Sequence, residues 1–440
     1  MANQSILRIS REIKQLQSCT DLSLAISCDD EDLRKVRALI LGPPETPYQF
    51  GFFEFSITFG TDYPAGPPVV QALTTNQGQC RFNPNIYACG KVCLSILGTW
   101  RGNRGEEWSS AQGLESILIS IQSLMSSNPY ENEPGYESTA SRQDKEDMTA
   151  YAAKIRHESI RISVIEPLEF LLGIKANSTA NPTDQEGNQD VDEGICITDV
   201  FADLRKRRFL WYYDCYMQSI TQGESEVTRK HKFTRMPFEH PGNSMDGHFD
   251  YPKLRSRLNQ VKDAIIFETN DWAVQGKAAQ EQEAGIAANL KRQHEQIVEK
   301  YKKHKNFTVD FNMVDDNPFL WQLTYFGRPM THLDGGIFNI KIHLSPSFPE
   351  DQPRVFVESP LFHYRVAKCG ILCYFPARTD DMRCHVDAIV AALEEESPYD
   401  PRTNVHPEAS KLFWGSPDDR KQYNRQLRRS VERSAECAYE

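Results

Sequence analysis

The chain has 440 residues, a formal net charge of −11 at neutral pH, 39% apolar residues and 10% aromatics. That length exceeds one ordinary core and that apolar content suffices for folding, so two or three globular domains are expected and a disordered polymer is excluded. The acidic balance, without a long Lys/Arg run, argues against nucleic acid as a partner, and no run of about 18 apolar residues exists to span a membrane.

The N-terminus, MANQSILRISREIKQLQSC, places a charge every few residues, unlike a signal peptide. Ile6, Ile9, Ile13 and Leu16 fall at helical spacing with Arg8, Arg11 and Lys14 on the other side, which predicts an amphipathic first helix. Val36 to Leu41, Phe52 to Phe59 and Val69 to Leu73 read as strands, and the second alternates Phe53, Phe55, Ile57 and Phe59 onto one face. Gly42-Pro43-Pro44 and the run from Tyr63 to Pro68 punctuate them. Helical spacing returns at Leu114 to Met125 and through Tyr151 to Leu172. Ala176 to Gly194 is polar, acidic and rich in Gly and Asn, so a mobile loop is expected near 174–195. Phe201 to Ile220 predicts an aromatic-bearing helix, and Trp272 to His304 a long, charged, Ala-rich one. The cysteines number eleven, an odd count without secreted-framework spacing, which favours reduced thiols in cytosol or nucleus.

The last quarter repeats the first. Gly42, Pro44, Thr46, Gly51, Phe53, Ile57, Pro64, Pro68 and Val70 recur as Gly327, Pro329, Thr331, Gly336, Phe338, Ile342, Pro349, Pro353 and Val355, at a constant offset of 285 (327 − 42). Gly90 and Cys93 recur as Gly370 and Cys373, and Pro129-Tyr130 as Pro398-Tyr399. Each copy reads as a helix, a meander of strands with Gly/Pro turns, an irregular cysteine-bearing segment and further helices. Strands then helices, without βαβ alternation, mean α+β with an antiparallel sheet.

In order, the first copy carries the amphipathic helix, LILGPPETPYQFGFFEFSI, DYPAGPP, NPNIYACGKVCLSIL and a helix ending in NPYENEP. In this it resembles the ubiquitin-conjugating enzymes over residues 5–165. The family has His-Pro-Asn with its catalytic cysteine eight residues after the Asn; here Asn83-Pro84-Asn85 precedes Cys93 at that spacing. FNPN, KVCLSILGTW, LISIQSLM and NPYENEPGYE are similar to the large Z-type subtype, as are IRHESIR, FLWYYDCY and GHFDY in the extension. The resemblance implies two UBC folds, each with an N-terminal helix, a four-stranded antiparallel meander and C-terminal helices, joined by a helical extension. The expected division is a catalytic domain over 1–172, the extension and linker over 173–305, and a second, divergent domain over 306–440.

It also implies an enzyme that takes ubiquitin or a ubiquitin-like modifier from an activating enzyme as a thioester on Cys93. The modifier then passes to a substrate lysine or another thiol, with a ubiquitin ligase and protein substrates as further partners and no cofactor or metal. Such a thiol must meet another enzyme's thioester, so exposure is expected of it. Asn85 would stabilise the oxyanion or hold the active-site loop. The attacking lysine is neutral in only about one molecule in a few thousand at pH 7. A carboxylate beside it helps by orienting the amine or accepting its proton, for which Glu131 and Glu133 are candidates. Ser95 stands where many members have an Asp. The activating enzyme is expected to dock on Arg8, Arg11 and Lys14, which otherwise form an ordinary solvated face.

Taken alone, Cys93 would be a small buried hydrophobe; its flanking pattern makes it a nucleophile. Zinc through Cys89 and Cys93 lacks a second Cys/His pair, a Cys89–Cys93 disulfide is disfavoured by a reducing compartment, and Cys89 is taken as incidental. Trp100 and Trp108 are read as packing residues. In the second copy, His363 keeps the family's His-to-cysteine spacing to Cys373, but Arg365 occupies the Asn position. That copy is expected to be degenerate, structural or ubiquitin-binding, with a second thioester site at Cys373 as the alternative. Both copies as a non-catalytic adaptor is the rival from another class.

Overall fold

The computed structural model describes residues 1–440 apart from 1, 19–21, 30, 103–104, 138–140, 175–198, 228–230, 283–284, 304–307, 399 and 439–440. The loop expected near 174–195 and Tyr399 of the repeat fall almost wholly or wholly outside the described residues.

Helix α1 (Ala2–Ser18) leads into strands β1 (Leu24–Cys28), β2 (Lys35–Leu41), β3 (Phe52–Thr58) and β4 (Val69–Ala72), an antiparallel meander in chain order. Helices α2 (Leu114–Ser123) and α3 (Arg142–Glu158) follow, then a π-helical turn (Ser159–Ile165) and α4 (Glu166–Leu171). After α5 (Ala202–Glu226) and α6 (Tyr251–Gln282), α7 (Gly285–Lys303) opens the second meander. This comprises β5 (Val309–Met313), β6 (Leu320–Phe326), β7 (Ile337–His343) and β8 (Arg354–Val357), then α8 (Met382–Glu394), α9 (Pro407–Trp414) and α10 (Pro417–Glu436). No helix among the described residues is long and apolar enough to cross a membrane.

Contacts group Met1–Ala202 with Ser219–Val261, and Asp203–Gln218 with Lys262–Glu440. The stretch expected as a separate extension over 173–305 thus divides between two compact units, because its aromatic and charged side chains pack on one or the other. The helix expected over 272–304 is helical on either side of residues 283–284, which lie outside the described residues, and α7 holds the place of α1: at the offset of 285, it precedes β5 as α1 precedes β1. It buries Ala287, Leu290, His294 and Ile297 in the second core, so the 306 boundary falls behind an element of that domain.

The duplication extends to register. Val36 faces Ile57, and Trp321 faces Ile342; Ile57 faces Val70, and Ile342 faces Val355. A one-residue slip would turn every core side chain to the other face, so identical register means the same faces are buried in both. Phe53, Phe55, Ile57 and Phe59 are all buried, each contributing about 1.5–3 kcal/mol. Gly42 and Gly327 are required by close approach: a Cβ would lie 1.8 Å from the Tyr48 carbonyl oxygen in one copy and 1.7 Å from that of Leu333 in the other. Ile6, expected on the buried face of α1, is 39% exposed, while Glu12 is buried in its stead.

The segment after α5 belongs to the first unit and is anchored by polar groups. Lys154 and Glu239, both without side-chain exposure, pair at 2.5 Å, and Lys154 Nζ also donates to the Thr234 carbonyl. His157 Nε2 accepts the Asp250 N–H at 3.0 Å, and Phe233, Phe249 and Tyr251 surround the His157 ring. Such buried charge is tolerated only when it is paired, which fixes this segment's place.

Candidate active site

The irregular segment after β4 runs 80–97 and is shaped by three polar side chains. Asn83, fully buried, donates through Nδ2 to Tyr48 Oη (3.0 Å) and the Leu124 carbonyl (2.8 Å), and its Oδ1 accepts the Asn85 N–H at 2.9 Å. Tyr48 Oη donates to the Phe82 carbonyl at 2.7 Å, and Asn132 Nδ2 donates to the Leu124 carbonyl at 2.9 Å. Asn83 therefore ties the turn to α2's end and delivers Asn85 in one orientation.

Asn85 and Cys93 meet twice. The Cys93 N–H donates to the Asn85 carbonyl at 2.8 Å, and Asn85 Nδ2 donates to the Cys93 carbonyl at 2.9 Å. Between them the chain reverses, with the Tyr87 N–H on the Lys91 carbonyl and Cys89 at the tip. Gly90 has φ +87°, and a Cβ there would lie 2.6 Å from the Ala72 carbonyl oxygen, so glycine is required. The reversal separates Cys89, exposed at the tip, from Cys93, which is 2% exposed. The expectation of an exposed thiol is thus not met: Cys93 is buried at the end of the loop that Asn85 opens. Burial, with Cys93 as an electrostatic neighbour, raises the Tyr87 pKa.

The two candidate carboxylates differ. Glu131 is exposed, whereas Glu133 Oε2 pairs with Arg81 Nη2 at 3.0 Å. Arg11 and Lys14 project from α1 into solvent. Arg8 does not: it pairs with Glu12 and donates to the Gln112 carbonyl, while Glu12 Oε2 accepts Tyr63 Oη (2.7 Å) and the Leu114 N–H (2.9 Å). Trp108 donates to the Pro64 carbonyl at 2.9 Å and packs beside Tyr63, whereas Trp100 is 45% exposed. Among the described residues, no group of three or more His, Cys, Asp or Glu is placed to hold a metal.

The sequence reading missed Tyr87, Arg81 and Asn243. Tyr87 lies inside the quoted NPNIY and carried a signal; Arg81 sits just before it. Asn243, more than 150 residues along the chain, had none, and only folding brings its Oδ1 to the Ala88 N–H at 3.1 Å.

The second copy repeats the backbone and changes the chemistry. The Cys373 N–H donates to the Arg365 carbonyl at 2.9 Å, and His363 Nδ1 accepts the Arg365 N–H at 3.2 Å, as Asn83 does for Asn85. Arg365 Nη1 reaches the Cys373 carbonyl at 3.4 Å, but its Nε is held by Glu395 at 2.6 Å. Within that unit, residues 203–218 pack close by: Trp211 meets Phe375, Tyr212 Oη donates to the Arg402 carbonyl, and Asp214 accepts the Lys368 N–H. Cys373 has no exposure, and burial pushes its thiol up to about 12 although Arg365 and Arg208 oppose this.

The family described as ubiquitin-conjugating enzyme matches residues 8–159 and 290–393, more than half of the chain. Ubiquitin-conjugating enzyme E2 Z of Xenopus tropicalis is 38% identical over 265 residues, covering 60% of this chain and 73% of that protein. E2 Z of Homo sapiens is 37% identical over 268 residues, covering 60% of this chain and 65% of its own length. The human dual E2 ubiquitin-conjugating enzyme/E3 ubiquitin-protein ligase BIRC6 is 40% identical over 168 residues, which is 37% of this chain and 4% of that protein.

Proposed function

The chain belongs to the ubiquitin-conjugating enzyme family, and from that premise we propose that Cys93 carries the C-terminus of ubiquitin or a ubiquitin-like modifier as a thioester. The observation that carries this reading is Asn85 paired twice with Cys93 across the eight-residue spacing. An adaptor needs none of these groups.

In the charging step the Cys93 thiolate attacks the carbonyl carbon of the activating enzyme's thioester. The new C–S bond forms as the old one breaks, and the departing thiolate takes a proton from solvent. In the transfer step a lysine amine or another thiol attacks the same carbonyl, the bond to Cys93 breaks, and the attacking group's proton passes to a base. Thiolates are intrinsically strong nucleophiles, and attack requires that neighbouring side chains move aside from this buried sulfur. Asn85 Nδ2 gives one of its two N–H donors to the Cys93 carbonyl, which supports the loop-holding role and leaves the second N–H for the oxyanion. Glu133 is neutralised by Arg81, leaving exposed Glu131 as the carboxylate to orient the amine or take its proton. Arg11 and Lys14, but not Arg8, present the basic face for the activating enzyme. Ligase and substrate partners follow from the same reading.

The second copy, in this reading, forms no thioester. A thiol pushed to about 12 is ionised in roughly one molecule in 10⁵ at pH 7, and Arg365 is committed to Glu395. The test is charging with activated ubiquitin. Cys93→Ser is expected to give a reductant-resistant oxyester, Cys93→Ala no adduct, and Cys373→Ala the wild-type level. A reductant-sensitive adduct on Cys93→Ala that disappears in Cys93→Ala/Cys373→Ala would instead establish the second thioester site.

A further inference from the structure

We propose that Arg81 and Asn243 are positioning residues for transfer from Cys93, through which residues 233–249, outside the family match, hold the catalytic loop in its working shape; this rests on the reading of Cys93 as the thioester carrier.

The contacts converge on the loop from one side. Cys80 pairs with Met245 as an isolated bridge, and the Arg81 N–H donates to the Ser244 carbonyl at 3.3 Å. Asn243 Oδ1 accepts the Ala88 N–H at 3.1 Å, and Ala88 is 1% exposed, so this donor has no route to water. Asn243 is itself set by a turn, its N–H on the His240 carbonyl and Gly242 at φ +79°. The bond falls on the reversal that joins Tyr87 to Cys93.

Arg81 binds the same parts together. Its Nη1 donates to the Phe238 carbonyl at 3.1 Å, and its Nη2 to the Pro84 carbonyl at 2.7 Å, one residue before Asn85. Nη2 also pairs with Glu133, and the guanidinium lies 5.0 Å from the Tyr87 ring and 5.4 Å from that of Phe238. The planar fork makes these contacts simultaneously, which a lysine ammonium cannot. Its Nε, also buried, has no hydrogen-bond partner among the described residues, so the geometry serves the other two nitrogens. One buried side chain thus connects residues 233–249 to Pro84 beside Asn85, to the Tyr87 ring and to Glu133.

Transfer should feel this more than charging. Charging is guided by the activating enzyme's own geometry, whereas a lysine amine must be aligned by Asn85, Tyr87 and the loop wall, where small misplacements cost large factors. The experiment uses the full chain and measures two rates: charging by the activating enzyme with ubiquitin, and discharge of preformed thioester to free lysine over a lysine series. For Asn243→Ala we expect charging within about twofold of wild type. The maximal discharge rate should fall about tenfold at an unchanged half-saturating lysine concentration. Asn243→Asp, which keeps the acceptor, should recover discharge to within about twofold, and Arg81→Lys should behave as Asn243→Ala. Discharge at the wild-type rate in Asn243→Ala, an equal loss of charging and discharge, or no rescue by Asp would overturn the positioning role. A wild-type chain that forms no thioester would overturn the Cys93 reading as well, so the two failures are distinguishable.

Discussion

Replacing Asn83 by alanine tests how the loop is held. The side chain makes two donor contacts and accepts two. Tyr48 Oη keeps its bond to the Phe82 carbonyl, and the Leu124 carbonyl keeps Asn132, so the Asn85 N–H is what loses its main acceptor. One orphaned N–H and a small void should cost about 2–4 kcal/mol. Histidine should cost about 1.5 kcal/mol or less, because in the second copy His363 Nδ1 accepts the equivalent Arg365 N–H. Hydrogen exchange of the peptide covering 83–97 reads this directly: Asn83→Ala should exchange on the order of 30- to 1,000-fold faster, and Asn83→His at most about tenfold faster than wild type. Lysine discharge should fall with Ala and persist with His. Unchanged exchange in Ala, or His as fast as Ala, would refute the hydrogen-bonding argument.

Three further outcomes are expected. Arg11→Ala/Lys14→Ala should slow charging several-fold at low salt, with the difference fading near 0.5 M salt as screening dominates; Arg8→Ala should instead lower the melting temperature, since Arg8 braces Glu12 and the Gln112 carbonyl. Lys154→Met should destabilise the first unit by about 3–5 kcal/mol, and Lys154→Met/Glu239→Leu should recover most of it in a thermal melt, because removing one partner strands a buried charge while removing both does not. Burial lowers His343 and His385 to about 4 in the folded second unit. Their contribution is therefore fully present above the ordinary histidine value of about 6.5 and lost as pH falls towards 4, on the order of 3 kcal/mol for each. Urea midpoints at pH 7.5 and 4.5 should show the loss, and a second unit equally stable at both would contradict the assignment of neutral buried rings.

What could be read directly from the residues was whatever repeats or alternates locally. The alternation of Phe53, Phe55, Ile57 and Phe59 specifies a half-buried strand before any partner is known, since period two follows from backbone geometry alone. The offset of 285 specified a second meander, and the Asn85-to-Cys93 spacing marked the candidate nucleophile. The tertiary structure decided what depends on distant neighbours. It gave α7 to the second core, because Leu290 and Ile297 need an apolar face that their local pattern cannot name. It turned Arg8 inward to Glu12, although Arg8, Arg11 and Lys14 look alike along a helix. It buried Cys93 and brought Asn243 onto Ala88. It also committed Arg365 to Glu395 beside a sealed Cys373. Spacing along a chain fixes which side chains share a face, but burial, pairing and pKa are set by atoms that meet only when remote segments pack together.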